Sequence, residues 1–528
     1  MRKLVKSLLL LAAAMGASGA AAEVPVEKPV VAATKAGKLQ GVSANDVVRF
    51  LGIPYGADTG GANRFLPPRP APAWKGVRDA TKPGLRCPQP PLPSNPLIRF
   101  SDLPVGEDCL VLNVWAPAKR TRQEKLPVMV WLHGGGYGFG SSYDPAYDGA
   151  NLAKGERVIV VSINHRLNGF GYLNLGLEAG ADYAASGLNG QLDIIEALKW
   201  VRTNIGAFDG DASNVTLFGQ SGGGGKISAL LAMPAGKGLF QKAIIQSGSD
   251  PRVRTFEESL AARATVLANA ELAPADIVKL RDMPLDGLIA LFAKSGILSF
   301  GPVVEGKLLP THPADPVASP VSTDVALMVG HTRDEATAVL AADPGWLATD
   351  DAKLTAMAAM LMGPANAAEG VALYRTRAIE EKPPRLLASI MTDKMFAHTA
   401  QVLATRKADQ RAPVYFYRVD WRTPVAGGIL RSPHGVEISF VFGNVGRAGE
   451  MTGTGTSQQH MSDLMQRSWG AFARTGNPNV AGLPRWPRYD RVRRATLIFD
   501  DTPSVVDDPD ATIRRFWDRA SGLSTEAK

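Results

Sequence analysis

The segment that most constrains how this chain can fold is Gly219-Gln220-Ser221-Gly222-Gly223, a GxSxG sequence. The preceding run, residues 214–218, predicts a strand, and the stretch that begins at Gly223 predicts a helix. A serine on so sharp a strand-to-helix turn needs small neighbours, because its backbone is strained and its hydroxyl must point out of the sheet. This context favours Ser221 as a nucleophile over a chance glycine turn.

Short apolar runs typical of buried parallel strands alternate with helical stretches along the chain, which predicts an α/β fold. The predicted strands are residues 128–132, 157–163, 214–218, 242–246, 325–329, 414–418 and 496–499. A helix is predicted at residues 194–205. The Ala- and Leu-rich segments 250–299 and 351–411 predict helical insertions over one edge of the sheet.

A second glycine-rich segment, His133-Gly134-Gly135-Gly136, follows the predicted strand that ends at Leu132. In an α/β-hydrolase fold this position supplies backbone donors to the anion that forms on an attacked carbonyl. Two N–H groups of this loop, together with that of Gly222, are the candidate donors. The alternative is a flexible turn, since glycine runs also occur for purely conformational reasons.

The candidates for a catalytic base follow from chain order, because this fold places nucleophile, carboxylate and histidine in that sequence. His398 lies in a predicted helix, which favours a structural role, and His460 lies in a polar segment typical of the surface. His434 lies in a loop after strand 414–418, where catalytic groups are common. Asp334 and Glu335 are adjacent after strand 325–329, and their positions alone do not decide which is the acid.

A nucleotide-binding loop is the competing interpretation of the glycines from Gly222 to Lys226. Its first glycine would fall on Gln220, and the hydroxyl that should follow the lysine is Ile227. The sequence contains no metal-ligand spacing, so neither a metal nor a cofactor is expected.

The composition is that of a globular protein, with 45% hydrophobic and 20% charged residues. The net charge of +8 comes from scattered basic residues, so a solvated surface is favoured over nucleic-acid binding.

Residues 1–22 have the charged start, apolar run and small-residue end of a signal peptide. An uncleaved membrane anchor is the alternative, but the apolar run is shorter than a bilayer requires. We expect one soluble domain, residues 23–528, exported to the periplasm or secreted.

The chain has two cysteines, Cys87 and Cys109, and export would place them in an oxidising compartment, where disulfides form. We expect them to form a disulfide, with two unpaired buried thiols as the alternative. Two ligands do not make a structural zinc site.

Motifs along nearly the whole mature chain resemble the type-B carboxylesterase family, which includes the cholinesterases. In the family's order, they are FLGIPY at 50–55 with Arg64-Phe65, EDCL at 107–110 with Leu112-Asn113, the glycine loop at His133, NHRL at 164–167 and FARTGNP at 472–478. The resemblance implies an α/β-hydrolase fold, with a large, mostly parallel sheet flanked by helices, and a serine esterase that acts through an acyl-enzyme.

The resemblance also assigns roles to residues. Ser221 matches the family nucleophile, His434 its base and Glu335 its acid. The oxyanion donors match Gly135, Gly136 and Gly222, although most members have alanine in place of Gly222. Cys87 and Cys109 match the family's first disulfide.

Two departures from the family concern the substrate. Gln220 stands where most members have glutamate, and the loop between Cys87 and Cys109 contains no tryptophan, so the aromatic floor that binds a quaternary ammonium by cation–π attraction is missing. We therefore expect a small-molecule ester as substrate and poor turnover of choline esters. A non-catalytic adhesion or binding protein on the same fold is the rival function. Amides, carbamates, lactones and thioesters remain open as substrates, and the sequence does not indicate an oligomeric state.

Overall fold

The computed structural model describes residues 26–91, 101–119, 124–343, 345–377 and 381–526. The predicted signal peptide, residues 1–22, lies outside these ranges. Among the helices of the described ranges, none combines the length and the apolar character needed to cross a bilayer.

One large mixed sheet extends through the described residues. Its strands are β1 (Lys28–Ala33), β2 (Lys38–Ala44), β3 (Val47–Pro54), β4 (Val77–Asp79), β5 (Val111–Pro117), β6 (Leu126–Leu132), β7 (Ile159–Ile163), β8 (Gly210–Gln220), β9 (Lys242–Gln246), β10 (Ala326–Thr332), β11 (Val414–Val419), β12 (Ala495–Phe499) and β13 (Ser504–Asp507). Their spatial order is β1-β2-β3-β5-β7-β6-β8-β9-β10-β11-β12-β13, and β4 pairs with β2.

The centre of this sheet is parallel from β7 through β6, β8, β9, β10 and β11 to β12. The pairs β1-β2, β2-β3, β3-β5, β5-β7 and β12-β13 are antiparallel. The prediction of a mostly parallel sheet is confirmed. Strands β1 to β5 and β13 were not predicted. The edge strands β1 and β4 are largely exposed and lack the continuous apolar run of a buried strand, whereas β5 is buried along its whole length and was missed nonetheless.

Helices cover both faces of the sheet. They are α1 (Ala150–Glu156), α2 (Asn168–Tyr172), α3 (Asn189–Asn204), α4 (Gly222–Leu230), α5 (Phe256–Asn269), α6 (Leu285–Lys294), α7 (Ala336–Leu340), α8 (Asp351–Met362), α9 (Pro364–Arg377), α10 (Pro383–Thr392), α11 (His398–Ala408), α12 (Glu437–Phe442), α13 (Thr456–Thr475) and α14 (Ala511–Ala520). A π-helical turn, Asp393–Ala397, joins α10 to α11. The two predicted helical insertions correspond to α5 with α6 and to α8 through α11.

Alternation along the strands divides the core into two layers, since successive side chains of a strand point to opposite faces. In β6, Val130 and Leu132 belong to the same buried cluster as residues of α3 and α4. Met129 and Trp131 belong to the cluster on the other face, with residues of α12 and α13. The strands that hold the site are therefore fixed from both sides.

The carboxyl ends of the central strands meet at one edge of the sheet. Leu132 of β6 pairs with Gly219 of β8, and Thr332 of β10 pairs with Val419 of β11. The residues that follow each of these strands therefore emerge on the same side. In open α/β sheets this edge is where ligands bind.

Candidate active site

Ser221 lies on the turn between β8 and α4 with φ 56° and ψ −127°. Its N–H donates to the carbonyl of Gln246 at 2.8 Å. A Cβ on Gly223 would lie 2.0 Å from the carbonyl oxygen of Leu132, so this position needs a glycine. The GxSxG pattern thus corresponds to a strained turn packed against β6, and the turn places Ser221 at the carboxyl edge of the sheet.

His434 and Glu335 meet at the same edge. His434 Nδ1 lies 2.5 Å from Glu335 Oε2, and Glu335 Oε1 accepts the N–H of Thr332 at 2.7 Å. The Glu335 side chain is fully buried, whereas that of His434 is 18% exposed. Both oxygens of the carboxylate are therefore engaged, and the bond to Nδ1 leaves Nε2 of a neutral imidazole free to act as a base.

Asp334, the other acidic residue that the sequence left open, points elsewhere. Its carboxylate lies 3.8 Å from the guanidinium of Arg431 and accepts the N–H of Ser432 at 3.4 Å. Burial raises the pKa of Asp334, and the charge of Arg431 opposes that effect. Of the two adjacent carboxyl groups, only that of Glu335 contacts His434.

The electrostatics of the pair favour an imidazolium next to a carboxylate. Burial by itself would lower the pKa of His434, but the charge and hydrogen bond of Glu335 raise it above its ordinary value. Burial would raise the pKa of Glu335, and His434 more than offsets this, so that the pKa of the carboxyl is lowered. The pair is therefore arranged to receive a proton on Nε2.

The Nε2 atom of His434 contacts the residue next to Ser221. It lies 3.1 Å from the side-chain amide nitrogen of Gln220, which fits an amide donating to the free lone pair of a neutral imidazole. Within the described ranges, Ser221 Oγ makes no hydrogen bond to His434. In unliganded enzymes such bonds are often long and tighten when substrate binds. The ring of Phe396, from the π-helical turn, packs 4.8 Å from the imidazole centroid.

The glycine loop after β6 turns its carbonyls into the protein. Gly135 and Gly136 have φ of 90° and 58°, which favour glycine. The carbonyl of Gly134 lies 2.8 Å from His133 Nδ1, and that of Gly135 accepts the N–H groups of Gly138 and Phe139. Because the carbonyl and N–H of a trans peptide point in opposite directions, the N–H groups of Gly135 and Gly136 face away from these contacts.

Gly222 lies against this loop. A Cβ on Gly222 would be 2.0 Å from the carbonyl oxygen of Gly136. Throughout the part of the chain that the structure describes, the N–H groups of Gly135, Gly136 and Gly222 have no hydrogen-bond acceptor. Three unpaired backbone donors thus lie in segments that touch each other beside Ser221, as an oxyanion site requires.

The disulfide supports the same loop. Cys87 and Cys109 are bonded, which confirms the predicted pairing. Two residues beyond Cys87, the side-chain amide of Gln89 donates to the carbonyl of Gly140 at 2.8 Å and accepts the N–H of Gly140 at 2.9 Å. The segment that follows the glycine loop is thereby attached to the disulfide.

Sequence reasoning missed two groups at the site. Glu437, one turn after His434, is buried, and burial raises its pKa to about 7. Its Oε1 accepts the amide of Gln246 at 3.2 Å, while its Oε2 is buried and has no hydrogen-bond partner among the described residues. Its spacing of three residues from His434, at the start of α12, could have indicated it. The second group is Lys226, whose side chain is buried beneath the glycine loop.

The other two candidate histidines, His398 and His460, lie where the sequence predicted, one in a structural contact and one on the surface. His398 Nε2 is 2.9 Å from Asp518, and this histidine is buried. His460 is exposed on α13.

A family model described as "Carboxylesterase family" matches residues 27–517. The para-nitrobenzyl esterase of Bacillus subtilis is 37% identical over 500 residues, which cover 92% of this chain and 98% of that protein. The phenmedipham hydrolase of Pseudarthrobacter oxydans is 33% identical, over 90% of this chain and 96% of its own. Human cocaine esterase is 34% identical, over 90% and 87% respectively.

Two solved esterase structures are similar to this chain in fold as well as in sequence. A carboxylesterase of Geobacillus stearothermophilus at pH 6.2 superposes with a TM-score of 0.82 and 36% identity, over 92% of this chain and 99% of that one. A PNB esterase superposes with a TM-score of 0.78 and 34% identity, with the same coverage. The similarity therefore extends through the sheet, the insertions and the candidate site together.

Proposed function

Since the chain belongs to the carboxylesterase family and is a serine carboxylic ester hydrolase, we propose that Ser221, His434 and Glu335 form its catalytic triad. The N–H groups of Gly135, Gly136 and Gly222 are the proposed oxyanion donors. The α/β-hydrolase fold brings these groups together at the carboxyl edge of its sheet.

The proposed reaction proceeds in two halves. His434 Nε2 removes the proton of Ser221 as Oγ attacks the ester carbonyl, and the three backbone N–H groups stabilise the resulting oxyanion. When the tetrahedral intermediate collapses, the C–O bond to the alcohol breaks and His434 returns the proton to the leaving oxygen. A water then attacks the acyl-enzyme by the same route, releasing the acid and restoring Ser221. Glu335 keeps the imidazole oriented and stabilises its charged form throughout.

The observation that carries this proposal is that His434 contacts Glu335 through one ring nitrogen and Gln220 through the other. Its Nδ1 lies 2.5 Å from a fully buried carboxylate, and its Nε2 reaches the residue that precedes Ser221. The amide of Gln220 occupies the base nitrogen in the resting protein. Entry of substrate must therefore exchange this contact for the hydroxyl of Ser221.

The test is Ser221→Ala, measured by hydrolysis of a p-nitrophenyl ester and by labelling with a fluorophosphonate. We expect kcat to fall by about 10⁶, because a triad acts as a unit, and one equivalent of label to be taken up by the wild type and none by the variant. Ser213→Ala, in the exposed first part of β8, is the matched control and should label fully. Retained turnover or labelling in Ser221→Ala would refute the assignment.

We also propose that uncharged esters are preferred over choline esters. Gln220 supplies no negative charge beside the nucleophile, and the Cys87–Cys109 loop contains no tryptophan to face a quaternary ammonium. Comparing kcat/KM for acetylcholine and for an uncharged ester of similar size tests this. A preference for acetylcholine would contradict it.

Export to the periplasm or the medium is a further proposal. It is supported by the charged and apolar pattern of residues 1–22 and by the disulfide, which persists in oxidising compartments. N-terminal sequencing of protein from a periplasmic or culture-medium fraction should begin near Glu23. An intact N-terminus on a cell-retained protein would contradict the proposal.

A further inference from the structure

A buried lysine lies directly beneath the glycine loop. Lys226 is fully buried on α4, five residues after Ser221. Its ammonium donates to the carbonyl of Gly136 at 2.8 Å and to that of His133 at 3.1 Å. It also lies 5.6 Å from the centroid of the Tyr137 ring, within cation–π distance. All three contacts are with one loop, His133–Tyr137.

The position of this lysine conflicts with ordinary helix preferences. A cation near a helix N-terminus opposes the helix dipole, and a buried ammonium has a large desolvation cost. Burial lowers the pKa of Lys226 to about 7, and the charge of Asp250 only partly opposes this. Among the ion pairs of the described residues, none includes Lys226. The contacts to the loop carbonyls are therefore the main compensation for burying this group.

The carbonyl of Gly136 is held from two sides by one face of α4. Gly222 and Lys226 are four residues apart and lie one turn from each other on the same face of the helix. The Gly136 oxygen contacts the ammonium of Lys226 and lies against the Cα of Gly222, where a Cβ would be only 2.0 Å away. A long helical side chain points back towards the N-terminus, so Lys226 reaches the loop from below.

These contacts complete the anchoring of the loop's carbonyls. Those of Gly134 and Gly135 are held by His133 and by the N–H groups of Gly138 and Phe139, whereas that of Gly136 depends on Lys226. Gly136 has a positive φ and no side chain, so its backbone would otherwise rotate freely. We propose, building on the proposed triad and oxyanion site, that Lys226 is a positioning residue. By holding the carbonyls of His133 and Gly136 it fixes the two peptides on either side of those that carry the Gly135 and Gly136 N–H groups, and so keeps these donors directed towards the oxyanion.

The neighbouring groups do not replace this function. Asp250 accepts the hydroxyl of Tyr137 at 2.8 Å, and burial raises the pKa of Asp250 to about 6. His133 stacks on His165, and burial lowers the pKa of His133 to about 3, so both rings are neutral near pH 7. Among the described residues, Lys226 is therefore the side chain that donates to the loop carbonyls of both His133 and Gly136.

The experiment compares Lys226→Met with Lys407→Met in the full-length enzyme. Lys407 is a buried lysine at the end of α11 whose ammonium donates to the carbonyl of Ser322 at 2.6 Å and to the side chain of Gln410, not to a triad residue, so it controls for the loss of a buried lysine. For each variant we measure kcat, KM and Tm, the equivalents of fluorophosphonate bound, and the affinity for an uncharged trifluoromethyl ketone. The ketone forms a tetrahedral adduct with the nucleophile and places its oxyanion among the backbone donors.

We expect Lys226→Met to lower kcat by about 10- to 100-fold, since misplaced oxyanion donors act only in the transition state. KM should change by less than about threefold, and the ketone should lose affinity by a factor similar to the loss in kcat. Lys407→Met should lower Tm without these kinetic changes. If Lys226→Met does not fold, Lys226→Gln is measured in the same way, because its shorter side chain cannot reach both carbonyls.

Wild-type kcat in a folded Lys226 variant, or a loss of kcat without a loss of ketone affinity, would overturn the proposal. Failure of the proposed triad is distinguished by the label. A Lys226 variant that still binds one equivalent at Ser221 but turns over at the wild-type rate refutes only the role of Lys226. Turnover by Ser221→Ala would refute both proposals.

Discussion

The two sides of the candidate site are built from different parts of the polypeptide. On the acid–base side, two side chains, Glu335 and His434, bind each other across loops that follow β10 and β11. On the proposed oxyanion side, the candidate donors are backbone N–H groups of glycines, in a loop that packs against α4 and contacts Lys226.

The difference predicts how each side fails. A side-chain arrangement loses function when the functional group is removed, even though the loop backbone remains in place. A backbone arrangement has no functional group to remove, so it fails when an atom is added to a glycine or when an anchor is lost. The following predictions test this contrast, from the largest expected effect to the smallest.

The acid–base side is tested by Glu335→Gln. An amide has the same shape but cannot stabilise an imidazolium and favours the wrong tautomer, so we expect kcat to fall by about 10³ to 10⁴. Stopped-flow or steady-state hydrolysis, normalised to folded protein by circular dichroism, measures the effect. Asp334→Asn changes the adjacent carboxyl, which does not contact His434, and should reduce kcat by less than about threefold. Equal losses in the two variants would contradict the assignment of Glu335.

The oxyanion side is tested by Gly222→Ala. The added methyl would lie 2.0 Å from the carbonyl oxygen of Gly136, so the loop must retreat, and we expect kcat to fall by about 10². Gly206→Ala is the control, because a Cβ there meets nothing within 4 Å. Unchanged activity in Gly222→Ala would show that this loop accommodates the methyl and does not depend on the glycine.

Gln220 lies between the two sides, and the variant Gln220→Glu tests how a charge at this position affects His434. A carboxylate in contact with His434 Nε2 favours the imidazolium, so the pKa of His434 should rise further. The acid limb of kcat/KM against pH should move up by about one pH unit, an approximately tenfold loss below the limb.

Glu437→Gln is the opposing variant. The Glu437 carboxylate contributes to the raised pKa of His434, so its removal should move the acid limb to lower pH. If both variants move the limb in the same direction, the electrostatic account is wrong.

The smallest expected effect on kcat is that of removing the disulfide by Cys87→Ala with Cys109→Ala. The closed loop spans 22 residues in sequence, and its loss should lower the free energy of unfolding by about 3 kcal/mol. Because the two hydrogen bonds of Gln89 to Gly140 remain, kcat at a temperature well below Tm should stay within about twofold. Urea unfolding measures the first quantity. A large loss of kcat at full stability would show that the disulfide itself positions the glycine loop.

The fold and the candidate residues were accessible from sequence because their signals are local. The glycines around Ser221 and after Leu132 indicate turns that only small residues permit. Buried parallel strands produce continuous apolar runs. Chain order then reduced the downstream histidines to three, of which His434 lies in a loop. The partly exposed strands β1 and β4 produce no such run and were missed, and so were β2, β13 and the largely buried strands β3 and β5.

What the sequence determined by itself is therefore the set of turns, strands and reactive side chains. Which of these side chains touch was decided by tertiary structure, because it depends on how loops from distant strands dock. Asp334 and Glu335 are neighbours with the same charge, yet only Glu335 reaches His434. The glycines before Lys226 suggested only a nucleotide-binding loop, and the contacts of this lysine exist only because the loop after β6 packs on the glycine face of α4.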